Sequence, residues 1–110
     1  MEKIVKGDIV VLPFPFSDLS SAKRRPALVL ADLQGDDVIL CQITSVERFD
    51  DYSIELDDID FRDGSLNSTS MIRPNRIFTA DSSIVSYKAG ALKRNKVEEI
   101  VETVCDIIRC

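Results

Sequence analysis

The stretch RPALVLADLQGDDVILCQITS, residues 25–45, decides the fold. Residues 25–32 begin with an arginine and a proline and continue as an apolar run, which is typical of a strand buried on both faces. Residues 33–37 have the composition of a turn, and residues 38–45 form a second run rich in β-branched and apolar residues. The stretch therefore predicts a buried β-hairpin on which the other strands must assemble.

The rest of the sequence predicts a small β protein that ends in a helix. Further strands are predicted at residues 7–14, 52–57, 70–81 and 89–92. Pro74 should break or bulge its strand, and residues 82–88 suit a single helical turn. From Asn95 the apolar residues recur at helical spacing, and Asn95 with Glu98 fits a capping box. We expect a mainly β fold, a small antiparallel barrel or strongly bent sheet with a C-terminal helix packed on it, as one domain over residues 1–110.

The composition excludes several classes of site. The chain has no histidine, which removes Ser-His-Asp and Cys-His nucleophiles and nearly all catalytic zinc sites. Three cysteines without C-x-x-C spacing suit reduced thiols better than a disulfide framework. The start of the chain lacks the pattern of a signal peptide, and no apolar stretch approaches the roughly 20 residues of a membrane span. We expect a cytoplasmic protein that needs neither metal nor cofactor and does not contact a membrane.

Acidic residues concentrate in the middle of the chain. The net charge is -5, and residues 31–68 carry eleven acids against two arginines. This excess argues against avid, non-specific binding of nucleic acid but allows a local basic site on one face. Residues 49–64, FDDYSIELDDIDFRDG, lack the EF-hand spacing. We interpret them as a solvated face rather than as a Mg²⁺ or Ca²⁺ site.

A cluster of cations stands at the entrance to the hairpin: Lys23, Arg24 and Arg25. Pro26 restricts the backbone of Arg25 to extended conformations, and the guanidinium fork matches two phosphate oxygens. In a hairpin, Thr44 and Ser45 would lie beside Arg25 and add hydroxyl groups. The pattern suits a phosphate clamp at the mouth of a small barrel. Spacing alone leaves open a surface salt bridge with the acidic segment.

Four stretches, in order along the chain, resemble the MazF/PemK family of type II toxin–antitoxin ribonucleases. They are GDIVVLPFPFSDLSSAKRRPALVL (7–30), CQITS (41–45), GSLNSTSMIRPNRIFTAD (64–81) and KAGALKRNKVEEI (88–100). The shared features are a Gly-Asp start, an Arg-Pro pair before an apolar strand, a strand ending in Ile-Thr, and a Gly-x-Leu before the last helix. The loop PFPFSD is shorter than in the best-known members, and the middle of the chain is more acidic.

The resemblance implies an SH3-like barrel of the CcdB/MazF type, a homodimer and inhibition by a cognate antitoxin protein. It also implies metal-independent cleavage of single-stranded RNA by attack of the 2′-hydroxyl group. The family's catalytic arginine and threonine fall on Arg25 and Thr44. The residues that we expect to contact RNA are Lys23, Arg24, Ser45, Ser70, Arg73 and Arg76. The general base stays open between Arg25 itself, a carboxylate such as Asp18, and solvent.

Two other functions are compatible with the same fold. A CcdB-like toxin would poison DNA gyrase by protein contact without cleaving nucleic acid, although the Arg-Pro and Ile-Thr pairs favour the nuclease. An RNA-binding module that does not cleave would need stacking aromatic residues. The aromatic residues here are few and mostly at strand positions suited to a core: Phe14, Phe16, Phe49, Tyr52, Phe61, Phe78 and Tyr87.

Overall fold

The computed structural model describes residues 3–14, 23–45 and 51–110. Within these ranges seven strands form one sheet, with every neighbouring pair antiparallel. The strands are β1 (Asp8–Pro13), β2 (Arg24–Asp32), β3 (Asp37–Thr44), β4 (Ile54–Leu56), β5 (Phe61–Gly64), β6 (Ser70–Asp81) and β7 (Tyr87–Leu92). Two 3-10 turns, Asp58–Asp60 and Ser82–Ile84, and the helix α1 (Arg94–Arg109) complete the described elements.

The sheet has the order β4-β6-β3-β2-β1-β7-β5 and curls into a half-barrel. The helix α1 packs against β6 and closes one side of the curl. The predicted mainly β fold, a strongly bent antiparallel sheet with a C-terminal helix, is confirmed. No helix in the described parts of the chain is long and apolar enough to cross a membrane.

The predicted hairpin forms the centre of the sheet. β2 and β3 pair antiparallel, with Ala27 opposite Gln42. Gly35, at the turn, has a φ of 76°, in the left-handed region that glycine enters without steric penalty. β1 and β6 cover the outer edges of the hairpin, and residues 27–30 are all buried. The prediction that this run is buried on both faces is confirmed.

Alternate side chains of the hairpin supply two separate hydrophobic cores. The first core contains Leu28, Cys41 and Ile43, together with Ile72 from β6 and Ile100 from α1. The second core contains Ala27, Val29 and Leu40, together with Leu12 from β1 and Phe14 just after it. Each fully buried aliphatic side chain stabilises the fold by roughly 1.5–3 kcal/mol. Both faces of the hairpin are therefore held by apolar burial.

The three cysteine thiols are free, and they lie in two different environments. Cys41 is fully buried in the first core, and this burial raises the pKa of its thiol to about 12. Cys105 and Cys110 are exposed on the last turns of the chain. The buried thiol behaves as a small apolar side chain and takes no part in chemistry at neutral pH.

The helix starts two residues earlier than the sequence predicts. Its first residue is Arg94, and Lys93 occupies the N-cap position without a side-chain capping bond, so the predicted Asn95–Glu98 capping box is wrong. The Lys93 N–H instead donates to the Asp60 carbonyl at 2.8 Å. Docking of the preceding chain onto the 3-10 turn therefore sets where the helix begins.

Two further differences and one confirmed prediction concern the strands. β5 lies in the segment interpreted as a solvated acidic face, where Phe61 is half-buried against the first core. β7 starts at Tyr87, two residues before its predicted start, and only Ser82–Ile84 form a helical turn. In β6 the pairing with β3 jumps from Arg73 to Ile77, so the bulge predicted at Pro74 is confirmed.

The Gly-Asp pair at the start of β1 makes a set of contacts that we call the clasp. The Gly7 N–H donates to the Val29 carbonyl at 2.9 Å, and φ at Gly7 is 96°. Asp8, only 1% exposed, lies 3.2 Å from the Lys88 ammonium through Oδ1 and accepts the Val5 N–H at 2.9 Å through Oδ2. This carboxylate joins the start of β1 to β7, on the far side of β1 from the hairpin.

Replacing Asp8 with alanine is expected to lower the free energy of unfolding by about 2–4 kcal/mol, because it leaves polar groups of the clasp without their buried partner. Asp63→Ala is the matched control, since Asp63 is 71% exposed in its pair with Arg62. The Asp63→Ala variant should lower the free energy of unfolding by less than about 1 kcal/mol. Urea unfolding followed by circular dichroism measures both, and equal losses would show that the clasp does not stabilise the fold.

Candidate functional site

A groove of about 440 Å³ opens where β2 begins and β3 ends. Its floor and walls come from β1, β2, β3, β7 and the loop between β5 and β6. Six of the eight residues predicted to form the site line this groove: Lys23, Arg24, Arg25, Thr44, Ser45 and Ser70. The sheet therefore brings the predicted phosphate clamp together around one concave surface.

Arg25 and Thr44 line the same groove, from the start of β2 and the end of β3. The β2–β3 pairing ends at Ala27 and Gln42, and continuing its register by two residues would bring Arg25 opposite Thr44. On its other side Arg25 pairs with Leu12 of β1. Arg25 is half-buried and Thr44 is 6% exposed. The guanidinium group thus extends from a backbone held between two strands, which restricts its position.

Arg24 and Arg25 project from opposite faces of β2. Successive side chains of a strand alternate between its faces, and Ala27 and Leu28 belong to different cores. Arg25 therefore shares the face of Ala27, and Arg24 shares the face of Leu28. Both side chains reach the groove because it wraps around the end of the strand. They can contact the same bound chain but not the same phosphate oxygen.

Ser70 supports the loop that forms one wall of the groove. It is 3% exposed, and its hydroxyl donates to the Ser68 carbonyl at 2.9 Å. Asn67 and Ser68 precede it on the exposed part of the same wall. The Ser70 hydroxyl proton is committed to this local bond, so Ser70 positions the loop and retains only acceptor capacity toward a ligand.

Arg73 and Arg76 do not line the groove. Arg73, in β6, is 8% exposed and lies opposite Gln42 of β3. Arg76 is exposed within the bulge that follows Arg73. Spacing along the sequence cannot reveal this, since the bulge in β6 shifts the residues after it relative to β3. The groove geometry gives no support to RNA contacts from these two arginines.

The sequence missed Tyr87, which stands on the groove wall and is 57% exposed. The expectation that the aromatic residues fill the core holds for Phe14 and Phe78, whose rings meet edge to face with centroids 5.1 Å apart. It is wrong for Tyr87 and for Tyr52, which is 46% exposed. The available signal was the polar context of Tyr87, between a serine and a lysine. Phe16 and Phe49 lie outside the described residues.

The described lining of the groove is cationic, with three basic side chains and no carboxylate. Within the described residues neither Arg24 nor Arg25 forms an ion pair, so the alternative of a salt bridge to the acidic segment gains no support. Asp18, the carboxylate considered as a base, lies outside the described residues. The groove as described can bind an anion and donate hydrogen bonds to it.

The acidic segment meets solvent and the helix rather than the groove. Asp57 and Asp58 are exposed, and Asp60 lies 3.6 Å from the Lys96 ammonium. In the described parts of the chain, no three His, Cys, Asp or Glu side chains gather as metal ligands would. The segment therefore holds the 3-10 turn against α1.

Comparison with known proteins places this geometry in a family. The family model for the PemK-like, MazF-like toxin of type II toxin–antitoxin systems matches residues 5–108. No curated protein matches the chain.

Several solved structures share the fold. MazF from Deinococcus radiodurans superposes with a TM-score of 0.78 at 17% identity, over 100% of each chain. An endoribonuclease from Mycobacterial species gives 0.72 at 14% identity, over 98% of this chain and 93% of the other. An endoribonuclease bound to its cognate antitoxin, also from Mycobacterial species, gives 0.70 at 11% identity, over 96% and 94%. The predicted MazF-type fold is confirmed, and at these identities the likeness concerns the fold alone.

Proposed function

We propose an activity for this chain, which belongs to the PemK-like, MazF-like toxin family of type II toxin–antitoxin systems: metal-independent cleavage of single-stranded RNA. The observation that carries the proposal is that Arg25 and Thr44 line one groove whose described lining holds three cations and no carboxylate. A cationic groove suits the RNA backbone, and a fixed guanidinium suits the charge that develops on phosphate during its displacement.

The reaction is an attack by the ribose 2′-hydroxyl on the adjacent phosphorus. The new P–O2′ bond forms as the P–O5′ bond breaks, which yields a 2′,3′-cyclic phosphate and a 5′-hydroxyl end. Arg25 donates two hydrogen bonds to the non-bridging oxygens, and the Thr44 hydroxyl donates a third. Arg25 and Thr44 belong to strands held in the sheet, so in this proposal they stabilise the phosphorane with little reorganisation.

The protons pass to and from solvent in this proposal. Arginine keeps its proton at neutral pH and is a poor general base. The described lining contains neither histidine nor carboxylate, so water accepts the 2′-hydroxyl proton and protonates the leaving 5′-oxygen. Holding the ribose in line with the leaving oxygen then supplies much of the rate.

The partners follow from the same surface. A cognate antitoxin silences the protein by laying an acidic, initially disordered segment over the cationic groove. The chain acts as a homodimer, because one small groove is short for gripping several nucleotides. Ile108, at the end of the helix, is 66% exposed and suits burial by a second copy. An RNA-cleaving toxin acts where messenger RNA is translated, so the proposed location is the cytoplasm.

Three alanine variants test the assignment of the site. Arg25→Ala is expected to slow single-turnover cleavage by about 10²–10³-fold, the usual effect of removing a transition-state donor. Thr44→Ala should slow cleavage while leaving RNA affinity largely unchanged. Arg24→Ala should mainly weaken RNA binding, and the salt dependence of its affinity should fall by about one phosphate contact.

Arg62→Ala is the matched control, since Arg62 is an exposed arginine of β5 that lies outside this groove. It should leave both cleavage and affinity near the wild-type values. Thermal unfolding of each variant checks that the fold is intact. If Arg24→Ala is inactive and Arg25→Ala retains full activity, the catalytic assignment is wrong.

Cleavage of mixed-sequence RNA by the pure protein is expected to survive excess EDTA, because every proposed donor is a side chain. Mapping both ends of the products should show 2′,3′-cyclic phosphates and 5′-hydroxyls. A strict Mg²⁺ requirement would contradict the mechanism and redirect attention to the acidic segment. RNA that is bound but never cut would favour the hypothesis of an RNA-binding module that does not cleave. Inhibition of gyrase without RNA cleavage would favour the hypothesis of a CcdB-like toxin.

The assembly is tested by light scattering coupled to size exclusion. At micromolar concentration the chain should elute with twice its 12.3 kDa mass. Ile108→Lys is expected to shift the equilibrium toward the monomer, because it places a charge in the proposed contact. A wild-type monomer with full cleavage activity would contradict the dimer.

A further inference from the structure

The floor of the groove is a row of apolar residues that ends in the exposed tyrosine. Tyr87 pairs with Val11, and Val11 pairs with Pro26. Ile43, at the end of the neighbouring strand β3, also lines the groove and continues the row. Neighbouring strands are about 4.8 Å apart, so the row extends for roughly 14 Å across four strands. The groove therefore has a flat apolar floor in addition to its cationic rim.

Tyr87 is placed where a ring does not serve the fold. It is 57% exposed, although β7 lies between two other strands of the sheet. The Ser86 N–H donates to the Val11 carbonyl at 2.8 Å and fixes the start of β7 against β1. The ring thus stands at the end of the row, next to a backbone contact that anchors the start of β7, and is exposed to a planar ligand.

The groove also offers polar groups. Asn67 and Ser68 line it, and the hydrogen bond from the Ser70 hydroxyl to the Ser68 carbonyl holds their loop. An asparagine amide carries both donors and an acceptor, which is the pattern needed to pair with the edge of a base. The groove therefore combines an aromatic face, an apolar floor and an amide.

We propose that this row is a subsite for one nucleobase, which stacks on Tyr87 while its edge is hydrogen-bonded by Asn67. The proposal rests on the proposed function in that the ligand is single-stranded RNA. Arg24 stands two residues before Pro26 on the same strand face, about 7 Å along β2, where the phosphate of the same nucleotide would lie. The subsite thus adds base recognition to the phosphate clamp.

The charges favour a nucleotide over a peptide as the occupant. The rim carries Lys23, Arg24 and Arg25, and the described lining holds no carboxylate that would repel a phosphate. Proteins that bind single-stranded nucleic acid combine a positively charged groove for the backbone with aromatic side chains on which the bases stack. An antitoxin segment on the same row is the competing occupant, and the experiment below separates the two.

The test measures binding and does not depend on cleavage. The probes are fluorescein-labelled hexanucleotides with 2′-O-methyl riboses, which cannot attack the phosphate: oligo(A), oligo(C), oligo(U) and an abasic hexamer of equal charge. Fluorescence anisotropy gives the affinity of each probe for the full-length protein at one fixed salt concentration. The variants are Tyr87→Ala, Tyr87→Phe and Asn67→Ala, with Tyr52→Ala as the control for an exposed tyrosine outside the groove.

The wild type should bind at least one base-containing probe about 5- to 150-fold more tightly than the abasic hexamer, the range expected for one stacked base. Tyr87→Ala should abolish this preference, while Tyr87→Phe and Tyr52→Ala should retain it. Affinity for the abasic hexamer should not change with Tyr87→Ala, because that probe is held by charge alone. Thermal unfolding confirms that each variant is folded.

Asn67→Ala should keep the preference for bases over the abasic probe but reduce the differences among the three base-containing probes. If those differences are unchanged, or the wild type shows none, the assignment of Asn67 is overturned. Equal wild-type binding of all four probes would overturn the subsite and favour an antitoxin segment as the occupant of the row. Tyr87-dependent binding without RNA cleavage would instead uphold the subsite and reject the proposed function.

Discussion

The burial of both faces of the β2–β3 hairpin is the constraint on which the rest of the molecule depends. Ala27 and Leu28 point into different cores, so a slip of one residue would exchange the two sets of side chains and lose both. The register of β2 and β3 is fixed for that reason, and with it the positions from which Arg25 and Thr44 enter the groove. The stability of the hairpin thus defines the geometry of the proposed clamp.

The clasp at Gly7 and Asp8 positions β7, which carries the Tyr87 wall of the groove. The buried carboxylate binds the Lys88 ammonium, so β7 is held against β1 directly beside Tyr87. An error in this pairing would remove the tyrosine from the row of Val11 and Pro26. The groove is therefore assembled by two interactions. Apolar burial positions the β2–β3 hairpin, and the Asp8–Lys88 ion pair positions β7.

The distribution of charge shapes how the groove would be used. The chain carries a net charge of -5, yet three cations and no carboxylate line the described groove. The overall charge repels nucleic acid at long range, whereas the rim attracts phosphate at contact, and salt screens both effects. A surface of this kind disfavours non-specific coating of RNA. It leaves discrimination to short-range contacts such as stacking, and to an acidic segment that can compete for the same groove.

The sequence by itself determined the features that depend on neighbours in the chain. The hairpin and the C-terminal helix follow from local apolar patterns, and the short turn brings Arg25 and Thr44 to the same end of the hairpin. The register between those two residues does not follow from the turn, because an irregularity between Val29 and Ala31 shifts the pairing by one residue. The exposure of Tyr87, the pairing of β5 and the position of Arg73 and Arg76 outside the groove were decided only by the tertiary structure. Each depends on pairing between segments far apart in sequence or on the bulge in β6, and local pattern does not encode either. The start of α1 was also set from a distance, since the Asp60 carbonyl binds Lys93 and overrides the capping signal at Asn95.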